Sequence, residues 1–307
     1  MIDILGKRYL FFAISLVLIV PGMVILAFTG VPLAIDFTGG SMLEVQFPEQ
    51  PPAPADVFIL YNDLGITDVQ VTPSDNNMLI IRSKFLEEEK RADILRAMEE
   101  RFAADITVMR ADSVGPTIGE EVTSRAAMAV GVAALLVILF ITYAFRGVPH
   151  AFRYGICAII AMFHDFLVVM SLAAIGGYFF GWQIDSLFLT ALLTVIGFSV
   201  QDKIVVFDRI RENSNIYRKL PFEKLANHSI IQTLGRSINT QLMTSEFMLL
   251  SLALFGGVTL REFAIVMLVG LFMGTYSSIF IAAPILVLWE NREWKFWFKR
   301  GKQSATV

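Results

Sequence analysis

The chain has 307 residues, of which 55% are hydrophobic and 17% charged, with a formal net charge of −3. That composition excludes an ordinary soluble globular domain. The single cysteine, Cys157, excludes an intrachain disulfide, and His150, His164 and His228 lack the spacing of a metal site; no cofactor is expected.

The apolar residues gather into runs of about 20, enough to cross a hydrocarbon core roughly 30 Å thick. Six such runs are expected to span a membrane: Leu10–Phe28, Ala126–Ala144, Tyr154–Ile175, Leu187–Phe207, Ile238–Phe255 and Phe263–Trp289. The first has no small-residue cleavage site after it and reads as a retained signal-anchor. Pro21-Gly22 within it is tolerable in a membrane helix and marks a site for a kink.

Between the first two runs, about Val31 to Arg125, lies a polar stretch of domain size with more Asp and Glu than Lys and Arg. Met42–Phe47 alternates as a strand, Pro54-Ala55-Asp56 opens a helix to Leu64, and Gly65 ends it. Thr67–Thr72 is a second strand, followed by a Pro-Ser-Asp-Asn-Asn turn and a third strand at Met78–Ser83. Leu86, Ile94, Leu95, Met98 and Phe102 then share a helical face, and Asp105–Val114 is a fourth strand. The order β-α-β-β-α-β is that of a ferredoxin-like fold. The acidic clusters Glu87-Glu88-Glu89 and Glu99-Glu100 read as a solvated helix face.

Basic residues fall on alternate sides of the runs. Lys7 and Arg8 precede the first, Arg146 and Arg153 lie between the second and third, and Arg209, Arg211, Arg218, Lys219 and Lys224 separate the fourth and fifth. Arg292, Lys295, Lys299, Arg300 and Lys302 crowd the tail, while 176–186 has no Lys or Arg. The positive-inside rule therefore predicts both termini in the cytoplasm. The expected divisions are 1–31 for the cytoplasmic N-terminus and first span, 32–124 for the extracytoplasmic domain, 125–289 for spans two to six, and 290–307 for a basic cytoplasmic tail.

Several ionisable residues interrupt the apolar runs, where each costs roughly 2.5–3.5 kcal/mol on insertion scales and usually faces a partner, a cavity or an ion path. Asp202 lies near the inner end of the fourth run and Arg236 at the start of the fifth, so the two are expected to meet at one depth. Desolvation favours a neutral acid and a nearby guanidinium favours the carboxylate, so movement of Arg236 would switch Asp202 between proton capture and release; the bland alternative is a static ion pair. Lys203 points about 100° away from Asp202 and is expected to snorkel to the cytoplasmic interface. His164 and Asp165 in the third run diverge as helix neighbours and serve either a proton relay or helix–helix hydrogen bonding. Glu246 in the fifth run is a further pathway candidate. Gly39 and Gly40 are expected to set a tight turn between the first span and the sheet. The Asp208–Glu212 run reads as an interfacial amphipathic helix with Ile210 inward, not a nucleic-acid site. Gly270 and Gly274 permit close helix packing.

Five local strings recur in order. They are Ala34-Ile35-Asp36-Phe37-Thr38-Gly39-Gly40, then Val114-Gly115-Pro116-Thr117-Ile118-Gly119-Glu120, then Ala161-Met162-Phe163-His164-Asp165. Ile196-Gly197-Phe198-Ser199-Val200-Gln201-Asp202 follows and runs on into Ile204-Val205-Val206-Phe207-Asp208-Arg209-Ile210-Arg211-Glu212-Asn213; the last is Ser229-Ile230-Ile231-Gln232-Thr233-Leu234-Gly235-Arg236-Ser237-Ile238-Asn239-Thr240. Together, over about Leu33 to Leu288, they closely resemble the SecF branch of the SecD/SecF protein-export family of the RND superfamily. The resemblance implies an α-helical membrane protein of six spans with a ferredoxin-like domain after the first. It implies a partner SecD chain, action beside the SecYEG translocon in the cytoplasmic membrane of a bacterium or archaeon, and use of the proton-motive force to help preproteins emerge. YajC and a YidC-type insertase are further candidate partners, with membrane lipid around the bundle. Where the family commonly has Asn-Asp and a small hydroxyl residue, this chain has Gln201-Asp202-Lys203, which sets a second charge beside the acid.

Two other classes compete. An RND-type half-transporter for a lipid or small solute would need a second outer porter module. An intramembrane hydrolase using Asp165 and Asp202 lacks the paired Tyr-Asp and Gly-x-Gly-Asp arrangement, so no enzymatic activity is expected.

Overall fold

The computed structural model describes residues 3–74, 77–146, 151–239, 247–256 and 258–293. The chain divides into two compact units, one of residues 32–129 and 183–186, the other of 1–31, 130–182 and 187–307.

The smaller unit is built on strands β1 (Gly40–Gln46), β2 (Val69–Ser74), β3 (Met78–Ser83) and β4 (Thr107–Val114). They lie in the order β2-β3-β1-β4 with every neighbouring pair antiparallel. Alternation puts Leu43, Val45, Leu79 and Ile81 on one face, with Leu43 opposite Ile81 and Val45 opposite Leu79. Against that face lie α3 (Pro54–Asp63), through Val57, Leu60 and Tyr61, and α4 (Glu88–Phe102), through Ile94 and Met98. Burial pushes the Tyr61 phenol above its ordinary value. Pro73, expected in a turn, instead ends β2; an edge strand tolerates a residue with no backbone donor.

The base of this unit joins two of the sequence motifs. A one-turn helix, α2 (Ile35–Thr38), is stopped by Gly39 and Gly40, whose φ values of +72° and +142° suit glycine. A Cβ on Gly119 would stand 2.6 Å from the Gly39 nitrogen, and one on Gly39 would stand 2.9 Å from the Pro116 Cα. Thr123 Oγ1 donates to the Phe37 carbonyl at 2.9 Å. The Asp36 carboxylate accepts from the Ser186 N–H and hydroxyl at 3.0 and 2.6 Å.

The larger unit is helical. Its long elements are α1 (Arg8–Thr29), α5 (Pro116–Ala144), α6 (Ala151–Phe180), α7 (Ser186–Ile216), α8 (Phe222–Ser237), α9 (Phe247–Phe255) and α10 (Val258–Ser277). A π turn, Ser278–Ala282, carries α10 into α11 (Ala283–Glu290). Among the described residues, 5 helical stretches are long and apolar enough to cross a membrane: Leu5–Thr29, Pro116–Ala144, Phe152–Phe180, Ser186–Ile216 and Leu260–Glu290. The expected fifth run begins with Ile238 and Asn239, crosses 240–246, which lie outside the described residues, and ends in α9. The stretch between the fourth and fifth runs is not a loop. α7 continues past Phe207 to Ile216, and α8 follows after a short turn.

Small residues set the helix separations. A Cβ on Gly22 would strike the Ser171 backbone, and Ser171 Oγ donates to the Leu18 carbonyl at 2.8 Å, so α1 lies directly on α6. A Cβ on Gly270 would overlap Val195, and one on Gly274 would stand 3.2 Å from the Ser199 Cβ. Those two glycines seat α10 on α7. Near the chain ends, Arg8 pairs with Glu223 at 2.7 Å and with Glu293 at 2.8 Å, while the Asn227 side-chain oxygen accepts from the Ile4 N–H at 3.0 Å.

Candidate functional site

The larger unit encloses a charged cluster. Asp165 on α6 and Lys203 on α7 are both 0% exposed, and Lys203 Nζ donates to Asp165 Oδ2 at 2.7 Å. The same carboxylate oxygen accepts from Ser277 Oγ at 2.7 Å and from Ser199 Oγ, which in turn accepts from Lys203 Nζ. The other oxygen, Oδ1, lies 3.0 Å from His164 Nδ1. A buried ion pair persists only where further hydrogen bonds satisfy both partners, and three helices supply them here. Ser199 and Lys203 lie one turn apart on α7, and Gly274 lets α10 come close enough for Ser277 to reach the pair.

Asp202, the neighbour of Lys203, is 5% exposed and has a different setting. Ser237 Oγ at the end of α8 donates to its Oδ1 at 2.7 Å, and Ser278 Oγ at the start of the π turn donates to its Oδ2. A hydroxyl both donates and accepts. A carboxyl held by two hydroxyls therefore finds partners whether it carries a proton or not. Asp165 meets two hydroxyls as well, but also the Lys203 ammonium, which only donates.

Three expectations change. Lys203 does not snorkel to the interface: it turns inward, because Asp165, Ser199 and the close seat of α10 offer its ammonium a complete shell. His164 and Asp165 do make contact despite diverging Cα positions, because the imidazole is long enough to swing back along its own helix. The α8 residue that donates to Asp202 is Ser237; Arg236, beside it on the same helix, points about 100° away and is exposed, while Ser237 is 2% exposed. Glu246 and His150 lie outside the described residues.

The remaining motif residues play packing and surface parts. Asp36, Gly39, Gly40, Pro116 and Gly119 meet at the base of the sheet unit, with Gly115 preceding α5. Gln201 is exposed on α7 and lines an apolar cleft of about 530 Å³ with Leu136, Phe140, Gly197 and Ile204. Asp208 pairs with Arg211 at 3.3 Å and Arg209 with Glu212 at 2.7 Å on the exposed side of α7, and Ile210 is buried as expected. Sequence reading missed the four serines, Ser199, Ser237, Ser277 and Ser278. The only local signal was the pair Ser277-Ser278 within an otherwise apolar run.

Residues 94–292 match the family described as protein export membrane protein SecD/SecF, C-terminal, and 24–47 match the SecD/SecF GG motif. The chain is 69% identical to the protein translocase subunit SecF of Anaerolinea thermophila, over 100% of both chains. It is 44% identical to that of Thermobaculum terrenum, again over 100% of both. Against the protein translocase subunit SecDF of Thermus thermophilus it is 35% identical over 86% of this chain and 35% of that one. The crystal structure of SecDF from Thermus, described as a translocon-associated membrane protein, superposes with a TM-score of 0.83 at 32% identity, over 95% of this chain and 39% of that one. A SecDF crystal structure in a super-membrane-facing form gives 0.67 at 31% identity, over 97% of this chain and 40% of that one.

Proposed function

The chain belongs to the SecD/SecF family of protein-export membrane proteins, and we propose that it is the SecF-type subunit of a complex that draws on the proton-motive force. Its role is in protein translocation across a membrane. In the proposed assembly a SecD chain completes the helix bundle and the complex acts beside SecYEG in the cytoplasmic membrane, with YajC and a YidC-type insertase as neighbours. Similarity to SecF subunits and to the SecDF chain supports association with SecD. The reading includes six spans, cytoplasmic termini and no enzymatic activity. It also takes the sheet unit as ferredoxin-like, which the order β2-β3-β1-β4 supports.

The observation that carries the proton role is the setting of Asp202. It is a buried carboxyl in the helix bundle, held by Ser237 and Ser278, and its α7 neighbour Lys203 is paired with Asp165 of α6. Intramembrane ionisable residues mark proton and ion paths, and two hydroxyls accommodate either protonation state. Asp165, fixed to Lys203, is the static charge of the cluster, and Asp202 is the one that exchanges.

Asp202→Asn keeps the size and hydrogen-bonding capacity of the side chain and removes its titrating proton. The variant should accumulate with SecD normally, yet membrane vesicles carrying it should lose the stimulation of export by an imposed proton gradient. Full stimulation at normal abundance would sink the proton-carrier role.

A further inference from the structure

At the end of α10 two consecutive hydroxyls meet two different carboxylates. Ser277 Oγ donates to Asp165 of α6 at 2.7 Å, and Ser278 Oγ donates to Asp202 of α7. Both serines are 0% exposed. Successive helical residues point about 100° apart, so one turn presents a hydroxyl to each acid. The helix also changes form here, since the π turn starts at Ser278. Such i→i+5 turns are rare and recur at functional sites.

Each hydroxyl has a second acceptor in its own helix. Ser277 Oγ lies 3.1 Å from the Gly274 carbonyl, and Ser278 Oγ lies 2.8 Å from the Thr275 carbonyl. A hydroxyl has a single proton to donate, so it serves one acceptor at a time. With Asp202 ionised, Ser278 donates to the carboxylate. With Asp202 protonated, the acid donates to Ser278 Oγ, and the serine proton turns to the Thr275 carbonyl. No proton leaves the serine, and the carboxyl and the hydroxyl each keep a partner in both states. What differs is the backbone, which gains the Ser278 bond in one state and gives it up in the other. Ser277 lacks that freedom, because Asp165 remains charged against Lys203 and Gly274 holds α10 on Ser199.

We propose that Ser277 and Ser278 are a coupling pair: Ser277 fixes α10 to the Asp165–Lys203 pair, and Ser278 converts the charge state of Asp202 into altered backbone hydrogen bonding at the π turn. This rests on Asp202 being the proton-exchanging group and extends that reading from chemistry to movement of the last span.

The test combines function and amide exchange on the full chain with SecD. Ser278→Ala should lower gradient-stimulated export about tenfold, the scale of one lost hydrogen bond to a charged group, with complex abundance unchanged; Ser278→Thr, which keeps the hydroxyl, should restore it. Asp202→Asn alone should alter hydrogen exchange across 275–282, and Ser278→Ala, which removes the hydroxyl that reaches the Thr275 carbonyl, should abolish that response, so that the double variant matches Ser278→Ala alone. A merely structural serine predicts additive changes. Additive exchange, or normal stimulation in Ser278→Ala, overturns the coupling. Unaltered exchange at 275–282 in Asp202→Asn overturns it even where the serine variant fails to accumulate. Loss of stimulation in Asp202→Asn beside a normal Ser278→Ala would refute the coupling alone, whereas normal stimulation in Asp202→Asn would refute the underlying proton role.

Discussion

A lysine with 0% exposure among membrane helices depends on the shell around its ammonium, and the shell of Lys203 is Asp165 with the Ser199 hydroxyl and carbonyl. Removing one partner of a buried pair leaves the other charge stranded, which costs about 3–5 kcal/mol, whereas replacing both by neutral groups is often tolerated. Lys203→Met should therefore lower the melting temperature of the purified chain, and adding Asp165→Asn should recover much of the loss. Thermal unfolding followed by tryptophan fluorescence reads both variants; native-like melting of Lys203→Met would show the pair to be dispensable. None of this pairing was legible in the sequence. Lys203 and Asp165 are 38 positions apart on different helices, and nothing local distinguishes a lysine that turns inward from one that reaches for the interface. The position of Asp165 on the facing helix decides it, and that is a tertiary fact.

At the scale of elements, legibility followed clear run boundaries. The third strand was expected at Met78–Ser83 and lies there, and the helix expected to end at Leu64 ends at Asp63. The strand is a short continuous apolar run and the helix opens on a Pro-Ala-Asp start, and turn residues bound both. α8 escaped because its buried residues, Leu225, Ala226, Ile230 and Thr233, are interleaved with charge and amide groups, so it reads as a polar connection. Among the described residues, the main core cluster of the sheet unit draws on positions from Leu43 to Ile106. Residues 33–114 should accordingly fold as an isolated soluble fragment with mixed helix and strand by circular dichroism. A random-coil spectrum under native conditions would mean that the sheet depends on segments outside that range. Within the fragment Gly39 should still tolerate substitution poorly, since its φ of +72° suits glycine even where Pro116 is absent.

For the whole molecule, orientation is the property most open to direct measurement. Cysteines replacing Asp68 and Lys219, both exposed, in a variant lacking Cys157, should react from opposite sides of the membrane. Labelling of both by an impermeant reagent in intact cells would contradict cytoplasmic termini with an external sheet unit. The Arg8 contacts carry a consequence for biosynthesis. Arg8 is made 285 positions before its partner Glu293. At ordinary rates of chain elongation that gap is roughly 15–60 s. The first span thus enters the membrane long before its guanidinium can be neutralised from the far end of the chain. Until then the Arg8 end of the helix is held by Glu223 and, through Ile4, by Asn227, both on a helix that is itself made late. The nascent protein therefore passes through a stage in which the first helix lies on α6 while its guanidinium still lacks Glu293, and a chain released early, short of Glu293, should be a preferred substrate for membrane proteolysis.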